Sequence, residues 1–209
     1  MRRQWRLVLL LLGAAALACP ARAQQPPPPP ASAAPAKPKP APKPAAPKPA
    51  ATAPAAAVAG GAQPKLLGQY GTWGAYTASP GGKKICFAIA KPASAETNPP
   101  NRPRNPVYMF ISIRPVDKVS NEVSIVIGYP FKPGSDAAAQ IGSTSFALYT
   151  QQDGAWIKNA AEEAHMVDAM RSAETAVIRG VSAKGTQSTD TYALKGIAQA
   201  LDRTAQECK

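Results

Sequence analysis

Two stretches of the chain, VYMFISIR at residues 107–114 and VSIVIGY at residues 123–129, decide its fold class. In both, every second residue is apolar, so the apolar side chains of an extended strand share one face. The turn-forming residues Pro130, Pro133 and Gly134 then interrupt the pattern. The two stretches therefore predict β-strands with one buried face.

Shorter segments of the same character surround these two strands. Further strands are predicted at residues 70–78, 85–90, 176–183 and 189–194, and a hairpin of 146–150 with 155–158 turns at Asp153-Gly154. Two helices are predicted, one capped by Asn159 and one at residues 196–207. Because the strands do not alternate with helices, residues 66–209 are predicted to form an antiparallel sandwich or a partly closed barrel.

The first 23 residues have the three parts of a secretory signal peptide. Residues 1–6 are basic, residues 7–17 are apolar or small, and Ala21-Arg22-Ala23 fits a cleavage site. An uncleaved membrane anchor is the first alternative, but the apolar run is shorter than the roughly 20 residues that span a bilayer. Lipidation at Cys19 is the second alternative to cleavage after Ala23. We expect an exported protein, periplasmic or associated with the outer membrane or cell surface, without a transmembrane segment in the mature chain.

Residues 24–65 are predicted to be a disordered tether. They contain 14 Pro and 15 Ala but neither an aromatic residue nor an acid, so they cannot bury enough apolar surface to offset their ordering entropy. A spacer is the first interpretation, and weak contact of its lysines with anionic cell wall or lipid is the second. The formal charge of the chain is +12, but residues 66–209 have a net charge of only +3. A nucleic-acid-binding domain is therefore not expected.

Catalytic, cofactor-binding and metal-binding residues are not recognisable in the sequence, and we expect a protein that is not an enzyme. The single histidine, His165, has no cysteine cluster beside it for a zinc site. No G-x-S-x-G motif is present. Ser182 and Lys184 share a strand face, as in a Ser-Lys dyad, but chance gives the same pattern.

A long loop at residues 91–106, which contains five prolines, is the best candidate for binding a partner. Arg102 and Arg104 lie in it, and functional residues concentrate on loops. The aromatic residues Trp73, Tyr76, Tyr129 and Trp156 are the alternative, as a ligand platform. In a small sandwich such residues are more often buried in the core.

Two cysteines remain after cleavage at Ala23, and they predict a disulfide bond. An even pair, Cys86 and Cys208, is typical of a protein that folds in an oxidising compartment. Cys86 lies on a predicted core strand, and Cys208 lies on the apolar face of the last predicted helix. Two buried free thiols are the alternative.

Several motifs resemble those of the invasion-associated locus B family. The resemblance rests on WGAY at 73–76, KICF at 84–87, NEVSI at 121–125 leading to GYPF at 128–131, and GVSAKGT at 180–186 followed by TDTY at 189–192 and by Cys208. It implies an exported domain with the character of an immunoglobulin-like β-sandwich over residues 66–209. It brings no catalytic residues.

The sequence therefore predicts an exported, non-enzymatic envelope protein that acts as a binding or accessory module. Its partner is expected to be a protein or another envelope component. A structural protein that tethers the cell wall or outer membrane is the alternative, and a hydrolase with an unrecognised site is the third interpretation.

Overall fold

Residues 62–209 are described by the computed structural model of the chain. The predicted signal peptide and most of the predicted tether lie outside these residues. The described strands are β1 (Lys65–Tyr70), β2 (Trp73–Ala78), β3 (Ile85–Ala90), β4 (Ser94–Asn98), β5 (Tyr108–Arg114), β6 (Val119–Val126), β7 (Ala137–Ile141), β8 (Thr144–Gln151), β9 (Gly154–Ile157), β10 (Thr175–Val181) and β11 (Gln187–Ala193). The α-helices are α1 (Glu163–Ser172) and α2 (Ile197–Glu207).

All eleven strands belong to one antiparallel sheet with the order β1-β2-β3-β5-β6-β9-β8-β7-β10-β11-β4. The pairing of β6 with β9, from Ser124↔Trp156 to Val126↔Gly154, joins its two halves. Within the described residues, β1 and β4 are the edges of the sheet. The register of β1 against β2 shifts between Leu66 and Gly68, so this edge is irregular.

One large core lies on the inner face of the sheet and takes side chains from both halves. Met109 and Ile111 of β5 belong to it, and so do Leu148 of β8 and Ile178 of β10. Both α-helices pack on this core, for example through Leu201 of α2. The predicted class, mostly antiparallel β with two helices, is confirmed, and one core between two halves is consistent with a sandwich.

The element boundaries correct several predictions. The strand predicted at 70–78 is β2, which begins at Trp73; β1, which starts at Lys65 within the predicted tether, and β7 were not predicted. The loop predicted at 91–106 contains the short strand β4, whose residues Ser94 to Glu96 are exposed and follow no apolar alternation. By contrast, β3 has the predicted bounds, and the hairpin of β8 with β9 is confirmed.

The start of α1 depends on two side-chain contacts. Asn159 Oδ1 accepts a hydrogen bond from the Ala161 N–H at 3.1 Å, so Asn159 caps a short 3-10 turn that precedes the helix. Glu163 Oε1 accepts a hydrogen bond from the Val123 N–H at 2.8 Å, which ties the helix to β6. Burial raises the pKa of Glu163 above its ordinary value, although the Val123 hydrogen bond acts in the opposite direction.

Candidate binding cleft

The loop that follows β4 is held against the sheet at two places. The Arg102 N–H donates to Thr97 Oγ1 at 3.1 Å, and the Asn105 N–H donates to the Gly128 carbonyl at 2.8 Å. Gly128 has a φ of +81°, and a Cβ there would lie 2.1 Å from the Asn105 carbonyl oxygen. Only glycine permits both the backbone conformation and the close approach. The loop therefore has a defined position on the β6 side of the sheet.

Arg104 points from this loop into the protein. Its Nη1 donates to Asp190 Oδ2 at 2.9 Å and to the Ile127 carbonyl at 3.3 Å, and its Nη2 donates to Asp190 Oδ1. The Arg104 side chain is 8% exposed and that of Asp190 is 0% exposed. The positive charge of Arg104 is thus neutralised inside the fold, and its side chain ties the loop to β11.

Polar side chains of β11 surround this ion pair on the inner face. Ser188 Oγ lies 2.5 Å from the Tyr129 hydroxyl oxygen, and the two share a hydrogen bond. The Tyr192 hydroxyl is buried and has no hydrogen-bond partner among the described residues. Burial raises the pKa of Asp190 even though Arg104 hydrogen-bonds to it, and burial raises the pKa values of Tyr129 and Tyr192 as well. The cluster is a buried site in which the charges of Arg104 and Asp190 pair with each other.

Arg102 remains at the surface and borders an open cavity of about 560 Å³. We call this cavity the cationic cleft. It lies between the loop and the turn that joins β10 to β11, and it is lined by Thr97, Pro99, Arg102, Pro103, Arg104, Tyr129, Pro130 and residues 182–186. A second open cavity of about 690 Å³ lies beside the same loop and includes Glu96 and Lys91. The lining of the cationic cleft contains no acidic residue.

The opposite wall of the cationic cleft is a rigid turn. Ser182 Oγ accepts a hydrogen bond from the Thr186 N–H at 3.0 Å, and the Ser182 N–H donates to the Thr186 carbonyl at 2.8 Å. The Ala183 N–H donates to the Pro130 carbonyl at 2.9 Å. Lys184 stands exposed at this turn, while Ser182 is buried. The turn therefore presents Lys184 to the cleft from the side opposite Arg102.

The sequence placed Arg102, Tyr129 and Lys184 in three separate candidate sites and did not group them in one cleft. Lys184 and Tyr129 are distant from Arg102 along the chain, and only the pairing of distant strands brings them to one place. Neither residue stands in a local motif that would have marked it as part of a site with Arg102.

The other candidate residues lie apart from the cleft. Trp73 is buried in the core, where its Nε1 donates to the Ala193 carbonyl at 2.9 Å. His165 is exposed on α1, and its ring centroid lies 5.5 Å from that of Phe146. In residues 62–209 no group of three or more His, Cys, Asp or Glu side chains is arranged to hold a metal ion. None of the helices described is long and apolar enough to cross a bilayer.

The predicted disulfide bond is present between Cys86 on β3 and Cys208 at the end of α2. Their Cα atoms are 6.0 Å apart, both residues are buried, and Ile113 packs against them. Lys84 Nζ lies 3.2 Å from Glu207 Oε1 beside the bond. Arg203 and Lys84 lower the pKa of Glu207 through their hydrogen bonds. The bond and the Lys84–Glu207 ion pair attach the last turn of α2 to β3 and to the residue that precedes it.

Comparison with known proteins gives a family and one structural neighbour. The chain is similar to invasion associated protein B from Bartonella henselae, whose crystal structure is known. The two are 16% identical in sequence, and the alignment covers 67% of this chain and 95% of the Bartonella chain with a TM-score of 0.48. No curated protein matches the chain significantly. The model of the family described as "Invasion associated locus B (IalB) protein" matches residues 73–205, which include both walls of the cleft. The chain therefore belongs to the invasion-associated locus B family.

Proposed function

We propose that this family member is exported and acts as a non-enzymatic binding module, with the cationic cleft as the site that recognises an acidic segment of a partner protein. One observation carries the proposal: Arg102 and Lys184 reach the same open cleft from two separate elements, and its lining contains no acid. Neither cation forms an ion pair within residues 62–209. Both are therefore available to carboxylates of a partner.

The form of the cleft supports an extended protein segment as the ligand. Pro99, Pro103 and Pro130 give its walls flat apolar surfaces, and Tyr129 adds an aromatic ring. The hydrogen bonds of the loop and the turn hold these walls in place before binding, which reduces the entropy lost on association. Arg104 supports the site from within, because its bond to Asp190 fixes the loop that carries Arg102.

Export is supported by the sequence pattern of residues 1–23 and by the chemistry of the disulfide bond. Disulfides persist in oxidising compartments and are rare in the cytosol. The tether would then set the distance between the domain and its place of attachment.

Charge reversal in the cleft tests this function. The purified chain from residue 24 is used to capture partners from envelope extracts by crosslinking and mass spectrometry. Arg102→Glu/Lys184→Glu should weaken capture of the specific partner at least about tenfold, since the two lost attractions of roughly 0.5–1 kcal/mol each are replaced by repulsions. Higher salt should weaken wild-type binding in the same direction.

A matched control separates the cleft from general charge effects. Lys83 and Lys195 are exposed and do not line the cleft, so Lys83→Glu/Lys195→Glu, which changes the net charge by the same amount as the cleft variant, should leave capture unchanged. Equal loss in both variants would show that binding follows net charge alone. Unchanged capture by the cleft variant would place the binding site elsewhere.

A further inference from the structure

A second surface, separate from the cleft, carries apolar side chains on the outer face of the sheet. We call it the outer apolar face, formed by Tyr76, Ile85, Phe87, Ile89, Tyr108 and Phe110. The register places them together, because Tyr76 pairs with Phe87 and Ile89 pairs with Phe110. The rings of Tyr76 and Phe87 stack with their centroids 5.6 Å apart and their planes 11° apart. This face is a continuous apolar surface across β2, β3 and β5.

Both described helices lie on the other side of these strands. Cys86, which alternates with Phe87 along β3, points to α2 and forms the disulfide bond there. An antiparallel sheet covered on one face normally has polar residues on the other. Here Phe87 is 0% exposed and Phe110 is 3% exposed, although none of the described strands or helices lies over them. The described strands and helices therefore do not account for the burial of the outer apolar face.

The point where the chain enters the domain indicates what covers this face. Ala62, the first described residue, packs against the outer apolar face. The twelve residues before it, 50–61, contain no charge and consist of Ala, Thr, Pro, Val and Gly. The earlier tether residues, 24–49, carry four lysines, which favour contact with water. Only the part of the tether nearest the domain has a composition that suits an apolar surface.

The segment is also long enough to cross the surface. Twelve extended residues span about 40 Å, whereas strands β2, β3 and β5 together are only about 10 Å wide from first to last. We propose that residues 50–61 dock on the outer apolar face and form part of the folded unit, so that the free tether is residues 24–49. At about 3.1 Å per residue, a free tether of that length reaches on the order of 80 Å when extended.

Photo-crosslinking in the full mature chain tests the docking. A photoreactive phenylalanine analogue is placed at position 58, where Val58 is the largest apolar residue of the segment, and at position 36 as a control within the lysine-bearing part. We expect crosslinks from position 58 to peptides of β2, β3 or β5 in a product with the mass of one chain. Crosslinks found only between two chains would identify a second copy as the occupant, and crosslinks no more frequent than from position 36 would exclude docking.

Backbone NMR provides a second readout that does not depend on the cleft. Heteronuclear NOE values should be those of ordered chain for residues 50–61 and low for residues 24–49. Val58→Asp should lower the values in residues 50–61 and increase binding of an apolar dye, because the outer apolar face loses its cover. Ala36→Asp should change neither. Low NOE values throughout residues 24–61 of the unmodified chain would overturn the proposal.

Discussion

Removal of the disulfide bond by Cys86→Ala/Cys208→Ala should lower the free energy of unfolding by up to about 5 kcal/mol. The bond joins residues separated by 122 positions, and the chain-entropy model gives roughly that value for a loop of this length. Strain in the native state and residual structure in the unfolded state reduce it. The loss is large against a typical domain stability of about 5–15 kcal/mol.

The structure also indicates where the effect begins. Ile197, Ala200 and Leu201 anchor the first half of α2 in the core, but its end depends on the bond and on the contacts of Glu207. A helix of eleven residues has little stability of its own. We therefore expect the last turn of α2 to open first in the double variant, while its first half keeps its packing.

Urea unfolding of the chain from residue 24 measures the loss, and hydrogen exchange locates it. Thiol titration of the denatured, unreduced protein should find no free thiol in the wild type and two after reduction. Lys84→Ala, which removes the ion pair beside the bond and the hydrogen bond from Lys84 Nζ to the Glu207 carbonyl but keeps the bond itself, is the control and should change stability little. A loss below about 1 kcal/mol in the double variant, or uniform exchange along α2, would refute the reasoning.

Three further outcomes are expected. Arg104→Met should lower the free energy of unfolding in urea by about 3–5 kcal/mol, because it leaves the Asp190 carboxylate buried without its partner. Arg104→Met/Asp190→Leu should recover most of that loss. A double variant as unstable as the single one would contradict this. Because burial raises the folded-state pKa of Glu163, its contribution to stability is present below the ordinary carboxyl pKa and is lost as the pH rises through the raised value. Glu163→Gln should remove that part of the pH dependence of Tm, and identical pH profiles for both proteins would argue against it. N-terminal sequencing of the exported protein should begin at Gln24, and a lipid-bearing start at Cys19 would identify a lipoprotein instead.

The strands that the sequence predicted well are those whose own residues carry a clear apolar pattern: β8 alternates buried and exposed residues, whereas β3 is buried on both faces. Strand β3 and the hairpin of β8 with β9 have β-branched or aromatic residues bounded by turn signals, so local pattern was sufficient. Strand β4, with the sequence SAETN, is an edge strand with mostly exposed residues. Its conformation comes from pairing with β11, a partner nearly a hundred residues away, and the local sequence carries no sign of it.

The candidate site shows the same division between local and distant causes. A proline-rich loop with two arginines could be recognised as a binding candidate from residues 91–106 alone. The sequence could not show that one arginine lies at the surface and the other is buried. That difference depends on Asp190, which lies 86 positions from Arg104. Burial of a carboxylate on β11 decides which arginine remains available to a partner.

The two edges of the sheet bear on how the protein avoids aggregation. An open sheet exposes unpaired backbone N–H and C=O groups at each edge, and these can template a strand from another molecule. Here Pro64 precedes β1 and Pro99-Pro100 follow β4, and proline cannot donate the hydrogen bond that such an added strand needs. The register shift in β1 also makes that edge a poor template. Among the described residues, pairing of a foreign strand is therefore hindered at the start of β1 and beyond the end of β4.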